Sequence, residues 1–93
     1  MENDKKYLFI CSTNDWKIVK CEIASETRYT WKTIYGFSYS KNCYNDWNPK
    51  YDNYQFWNPD LEELKRTKKE NIEFKIKILK RDIERLESAL LND

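Results

Sequence analysis

Apolar positions change their rhythm once along this chain. Before Asn58 they come in short runs with the two-residue period of strands, and after it they follow the period of a helix. Tyr7 to Ser12 reads as a first strand, and Thr13, Asn14 and Asp15 as a turn, because Asn and Asp tolerate the left-handed backbone. Trp16 to Ile23 returns as a second strand, with Ala24, Ser25 and Glu26 as the next turn. Thr27 to Tyr35 is the clearest strand, rich in Thr, Tyr and Trp. Its alternation puts Tyr29, Trp31, Thr33 and Tyr35 on one face and Arg28, Thr30, Lys32 and Ile34 on the other. Gly36 is expected at a bulge or bend, followed by a short fourth strand over Phe37 to Ser40.

Residues 41–58 are rich in Asn, Asp, Tyr and Trp and read as an aromatic loop. Trp47-Asn48-Pro49 recurs ten residues later as Trp57-Asn58-Pro59. The first copy fits the start of a short turn. The second fits a helix start: Asn58 as cap, Pro59 in the first turn, and Asp60, Glu62 and Glu63 complementing the helix dipole. No Pro or Gly follows, which predicts one helix from Pro59 to about Leu91, ~50 Å long at 1.5 Å per residue. Ile72, Ile76, Leu79, Ile83, Leu86 and Leu90 repeat at alternating spacings of four and three, the seam of a coiled coil. Leu64, Thr67, Phe74 and Ile78 form a second stripe on the opposite side, suited to covering the sheet. If the seam pairs with a copy of itself, a parallel arrangement sets Lys75 against Lys80 and Asp82 against Glu87, which favours antiparallel pairing.

The expected fold is therefore α+β: a three- to four-stranded antiparallel sheet, an aromatic-rich loop and one long C-terminal helix. Of 15 aromatic residues 14 precede Asn58, while 10 of 16 Ile, Leu and Val follow it. A sheet so short of aliphatics needs its rings or the helix for a core. Residues 1–58 and 59–93 are thus expected to pack as a single domain.

Composition narrows the chemistry. The 93 residues carry 17 Lys+Arg against 16 Asp+Glu, so no overall field draws the chain to nucleic acid or an anionic membrane. With no His there is no Ser-His-Asp triad, Cys-His nucleophile or His-ligated zinc, and one Gly is too few for a phosphate-cradling loop. Cys11, Cys21 and Cys43 have no CxxC spacing and read as reduced thiols, and Asp46, Asp52 and Asp60 as loop or capping carboxylates. No catalytic residue, metal or cofactor is expected. The longest apolar run, Tyr7 to Cys11, is far short of the ~20 residues of a membrane span, so a cytoplasmic location is expected.

What remains is binding. Tyr and Trp offer large contact areas at low rotamer cost. Tyr44, Trp47, Tyr51 and Tyr54 are the residues expected to meet a protein partner, with Phe56 and Trp57 in the core. The seam is the second expected surface, for a homodimer or a partner helix. Abundant Asn, Lys, Ile and Tyr point to AT-rich coding, and with the small size they fit a phage or mobile-element accessory protein that inhibits a host protein, of anti-defence type such as an anti-CRISPR. The alternative is a nucleic-acid-binding accessory protein, with Tyr44, Tyr51 and Tyr54 stacking on bases and Lys41, Lys50, Lys65, Arg66, Lys68 and Lys69 meeting phosphates.

Overall fold

The computed structural model describes residues 5–48 and 53–92, with the side chains of Trp47, Asn48 and Asn53 left aside. Six strands and one helix follow in order: β1 (Tyr7–Ser12), β2 (Ile18–Glu26), β3 (Thr30–Thr33), β4 (Ser38–Ser40), β5 (Asn45–Asn48), β6 (Asn53–Asn58) and α1 (Leu61–Leu91). The class is α+β, but the sheet has six strands where three or four were expected. All pairings are antiparallel, in the order β4-β3-β2-β1-β6-β5.

The extra strands come from the segment read as a loop. Asn and Asp disfavour strands as isolated residues, yet the register Trp47↔Tyr54 and Asn48↔Asn53 closes β5 and β6 into a hairpin, and β6 pairs with β1 through Ile10↔Trp57 and Cys11↔Phe56. Two further boundaries move. β2 continues through the expected turn to Glu26, and the turn falls instead at Thr27, whose Oγ1 accepts from the N–H groups of Tyr29 and Thr30. Accordingly β3 keeps only the middle of its predicted span. Trp31 and Thr33 are buried as the alternation required, whereas Tyr29 and Tyr35 lie beyond the strand and are exposed.

Gly36 behaves as expected. The Thr33 N–H donates to Phe37 O and the Gly36 N–H to Thr33 O, so residues 34–36 form a three-residue hairpin loop whose last position has φ +88°. The first turn is built differently: Trp16, not Asn14 or Asp15, takes the left-handed backbone at φ 59°, with its N–H donated to Ser12 O.

The sheet cannot be flat. Six strands at about 4.8 Å spacing would hold β4 and β5 about 24 Å apart, while residues 41–44 that join them reach at most about 18 Å. The sheet therefore curls. β2 supplies the corner: Ile18 to Glu22 pair with β1, Ile23 to Glu26 pair with β3, and the register shifts between Ile23 and Ser25. The curl brings the far edges together, so that Trp57 Nε1 donates to Ser40 O at 2.9 Å and Tyr39 meets the Trp57 ring edge-on at 4.9 Å. At the end of β2, Glu26 ties neighbouring strand ends together, accepting from Lys6 ahead of β1 and from Lys41 after β4. These two bonds, Lys41 first, hold its carboxyl below the usual range.

Two clusters result from the alternation along β1. Leu8, Ile10, Cys21, Trp31 and Trp57 fill the inside of the curl, with Ile23 and Tyr39 against them. Cys11, Phe56 and Leu64 form the outer cluster, flanked by Phe9, Trp16 and Ile18. Burial raises the pKa of the Cys11 and Cys21 thiols, consistent with their packing as small apolar groups.

The helix begins two residues later than expected. Asp60, not Asn58, is the cap, accepting from the N–H groups of Glu62 and Glu63, while Asn58 accepts from the Asp60 N–H. Leu64 is the one buried residue of α1, and it seats the first turns on β1 and β6. The rest runs past the sheet: every residue from Leu79 to Asn92 is exposed, and the molecule is 69 Å long against 26 and 20 Å across.

Candidate functional site

Where α1 leaves the sheet, the second helical stripe faces the β5–β6 hairpin across an open trough. Its lower half, about 280 Å³, is lined by Tyr44, Tyr54, Phe56, Leu64 and Thr67 among others. Its upper half, about 300 Å³, is lined by Thr13, Trp16, Tyr54, Asn71, Phe74 and Ile78, with Lys75 at its rim. Tyr54 and Asn71 belong to both halves.

Each ring is placed by a different element. Tyr54 sits near the start of β6, where its N–H donates to Thr13 Oγ1 and its carbonyl accepts the Thr13 N–H, both at 2.9 Å, tying the hairpin to the β1–β2 turn. Trp16 reaches the trough from that turn because its left-handed backbone swings the indole onto Phe56, 6.3 Å away between centroids. A left-handed non-glycine residue costs on the order of 1 kcal/mol, which packing against the outer cluster offsets. Phe74 projects from α1, nearly three turns beyond Leu64, and is 63% exposed. Thr67 Oγ1 donates to Glu63 O, and Asn71 Nδ2 to Thr67 O, so the helix itself satisfies the polar groups of this face.

The expected partner-binding residues separate. Tyr44 and Tyr54 share the lower trough, and Tyr44 also packs on Trp31 at 5.7 Å. Tyr51 lies outside the described residues, as does the Trp47 side chain, although the backbone register sets Trp47 opposite Tyr54. Phe56 and Trp57 are buried. The trough gains Trp16, Asn71 and Phe74, which the aromatic segment alone did not indicate. Asn71 lies seven residues after Leu64, two helical turns up the same face, and that spacing was the available signal. Of the cations considered for nucleic acid, Lys41 is held by Glu26 and lies 5.4 Å from the Trp31 ring centre, and Lys50 falls outside the described residues.

The seam is the other surface. Ile72 is half-buried, Ile76, Leu79 and Ile83 are about half exposed, and Leu86 and Leu90 are 68% and 80% exposed. At about 100° per residue this stripe lies roughly a third of a turn from the one that meets the sheet, not opposite it as expected, and both faces are available at once. Burying a Leu or Ile fully contributes about 1.5–3 kcal/mol, against about 0.2–0.5 kcal/mol for a surface ion pair on a helix. Apolar matching therefore outweighs flanking charge in deciding how such a seam is covered.

A further open pocket, about 400 Å³, is lined by Phe37, Tyr39, Cys43, Asp46, Gln55 and Trp57, with Ser38 and Ser40 of β4 beside them. Among the described residues no helix is long and apolar enough to cross a membrane. Comparison of the chain with protein-family models, with curated proteins and with solved structures finds no match.

Proposed function

We propose that the protein is a non-catalytic binding protein that acts by occupying the surface of a protein partner, with the trough between α1 and β6 as its contact. The supporting observation is the convergence of Trp16, Tyr54 and Phe74, from three separate elements, on one open groove. Aromatic rings on a rigid support are the residues that dominate protein interfaces. A net charge of only +1 and the absence of His argue in the same direction. A mobile-element factor that inhibits a host protein is a version of this reading that rests on size and composition.

The test is affinity capture from a nuclease-treated lysate of the source cell, comparing the intact protein with Phe74→Ala and Tyr54→Ala. Phe74 is exposed enough that its loss should change stability by no more than about 0.5 kcal/mol. The expected result is one specific protein captured by the parent and lost with either variant, at least tenfold in affinity, with mild dependence on salt. Capture unaffected by both substitutions would remove the trough from the reading. Binding to single-stranded oligonucleotides that falls steeply with salt would replace it with the nucleic-acid alternative.

A further inference from the structure

We infer that the Ile72 to Leu90 seam of α1 pairs with the same seam of a second copy, as a parallel two-stranded coiled coil. The inference does not depend on the trough or its partner. The last 13 of the 31 residues of α1 have no tertiary cover, since all residues from Leu79 to Asn92 are exposed, and helices in proteins owe most of their stability to packing of an amphipathic face. A second helix along the seam supplies that cover.

Residue types at the seam select the occupant. The spacing assigns Ile76, Ile83 and Leu90 to the a positions and Ile72, Leu79 and Leu86 to the d positions. Ile at a with Leu at d is the arrangement that favours parallel dimers, because a β-branched side chain packs best in the a layer and Leu in the d layer. Here the two central heptads, Ile76 with Leu79 and Ile83 with Leu86, obey it.

Charge was expected to oppose this orientation, and counting both arrangements reverses that expectation. In the parallel dimer Lys75 meets the partner's Lys80, Asp82 meets the partner's Glu87 and Lys68 meets the partner's Glu73, each contact made twice, so four like-signed contacts are partly offset by two attractive ones. An antiparallel dimer that keeps all six apolar layers matched is centred at residue 81. It sets Asp82 against the partner's Asp82, Lys80 against the partner's Lys80, and Glu73 against the partner's Glu87. All of its charged flanking contacts are like-signed. Sliding the antiparallel helices by a heptad improves the charges, but it moves two apolar positions on each chain out of apolar layers.

The area sets the expected strength. Three heptads of paired helix bury on the order of 1,200 Å² in total, the low end for specific interfaces. A concentration-dependent dimer follows. With both helices running the same way, the two sheets and their troughs lie at one end of the assembly.

The experiment is sedimentation of the full chain from micromolar to sub-millimolar concentration, beside Ile83→Glu. The expected result is a mass rising toward twice 11.5 kDa for the parent and staying at one chain for the variant, with the near-ultraviolet spectrum of the sheet tryptophans unchanged. Ile83 is half exposed, so the substitution leaves the sheet core intact. A parent that is monomeric throughout, or a dimer that Ile83→Glu leaves unchanged, overturns the inference. Orientation is read with Leu90→Cys in a Cys43→Ser background. The parallel dimer places the two a-position Cα atoms within disulfide reach, so oxidation should yield a covalent dimer. A dimer in sedimentation that gives no such bridge overturns the parallel arrangement.

Discussion

At the scale of single residues, Thr33 stands apart. Among the described residues it is the one buried polar side chain, 2% exposed, and its Oγ1 has no hydrogen-bond partner. A buried hydroxyl without a partner costs about 1–3 kcal/mol relative to one that is satisfied. Val has nearly the same shape and suits a strand. Thr33→Val is therefore expected to stabilise the protein by about 1 kcal/mol, measured as a higher midpoint in urea with an unchanged slope. A lower midpoint would mean that the hydroxyl is satisfied, for example by an internal water.

Among the elements, α1 shows how little contact is needed to place a long helix. Its seating rests on Leu64, which is 1% exposed and packs with Cys11 and Phe56, and on the Asp60 cap that fixes where the helix starts. Leu64→Ala removes most of that side chain from a closed site, and such truncations cost about 2–5 kcal/mol. The loss should appear as a lower melting temperature, together with weaker protection of the β1 and β6 amides in hydrogen exchange, since these strands lie beneath the first turns. Retention of both would show that the helix is held elsewhere. The same position explains the trough: Leu64 fixes the rotation of α1, and that rotation aims Asn71, Phe74 and Ile78 at the hairpin.

For the molecule as a whole, closure of the sheet is the decisive event. One bond from Trp57 joins edges that are far apart in strand order, its indole to Ser40 O, while its backbone N–H to Tyr44 O extends the β5–β6 ladder and a brace at Glu26 ties the ends of β1, β2 and β4 through Lys6 and Lys41. Because the native carboxyl of Glu26 is held below its ordinary value of 4.5 by these lysines, the brace contributes at neutral pH. It is lost as pH falls below that ordinary value and through the native one. Glu26 is exposed, so the effect is modest. Glu26→Gln should lower the melting temperature by a few degrees at most near pH 7, and the difference from the parent should vanish in acid. A difference that persists at low pH would assign the effect to something other than the ion pairs.

How much of this was legible before folding depends on whether the signal is local. The strand at Tyr7 to Ser12, the bend at Gly36, and the long helix with its stripe of Ile and Leu follow from periodicity, and a stretch of 31 residues without Pro or Gly leaves a helix little alternative. The outer and inner clusters were partly legible too, since alternation along β1 sends Leu8 and Ile10 one way and Cys11 the other. Residues 41–58 were misread because Asn-rich segments have weak strand propensity. β5 and β6 pair with each other locally, but β6 is held in the sheet by β1, between 43 and 49 residues earlier, and only tertiary structure supplies that contact. The same holds for the trough. Trp16 and Tyr54 are 38 positions apart and Phe74 is 20 further on, so no spacing rule joins them; curl of the sheet and rotation of one helix about Leu64 bring them together. Sequence alone determined the first strands, the long helix and which of their faces are apolar, because those depend on near neighbours. Tertiary structure decided strand number, closure and which rings share a surface, because those depend on contacts between residues far apart in the chain.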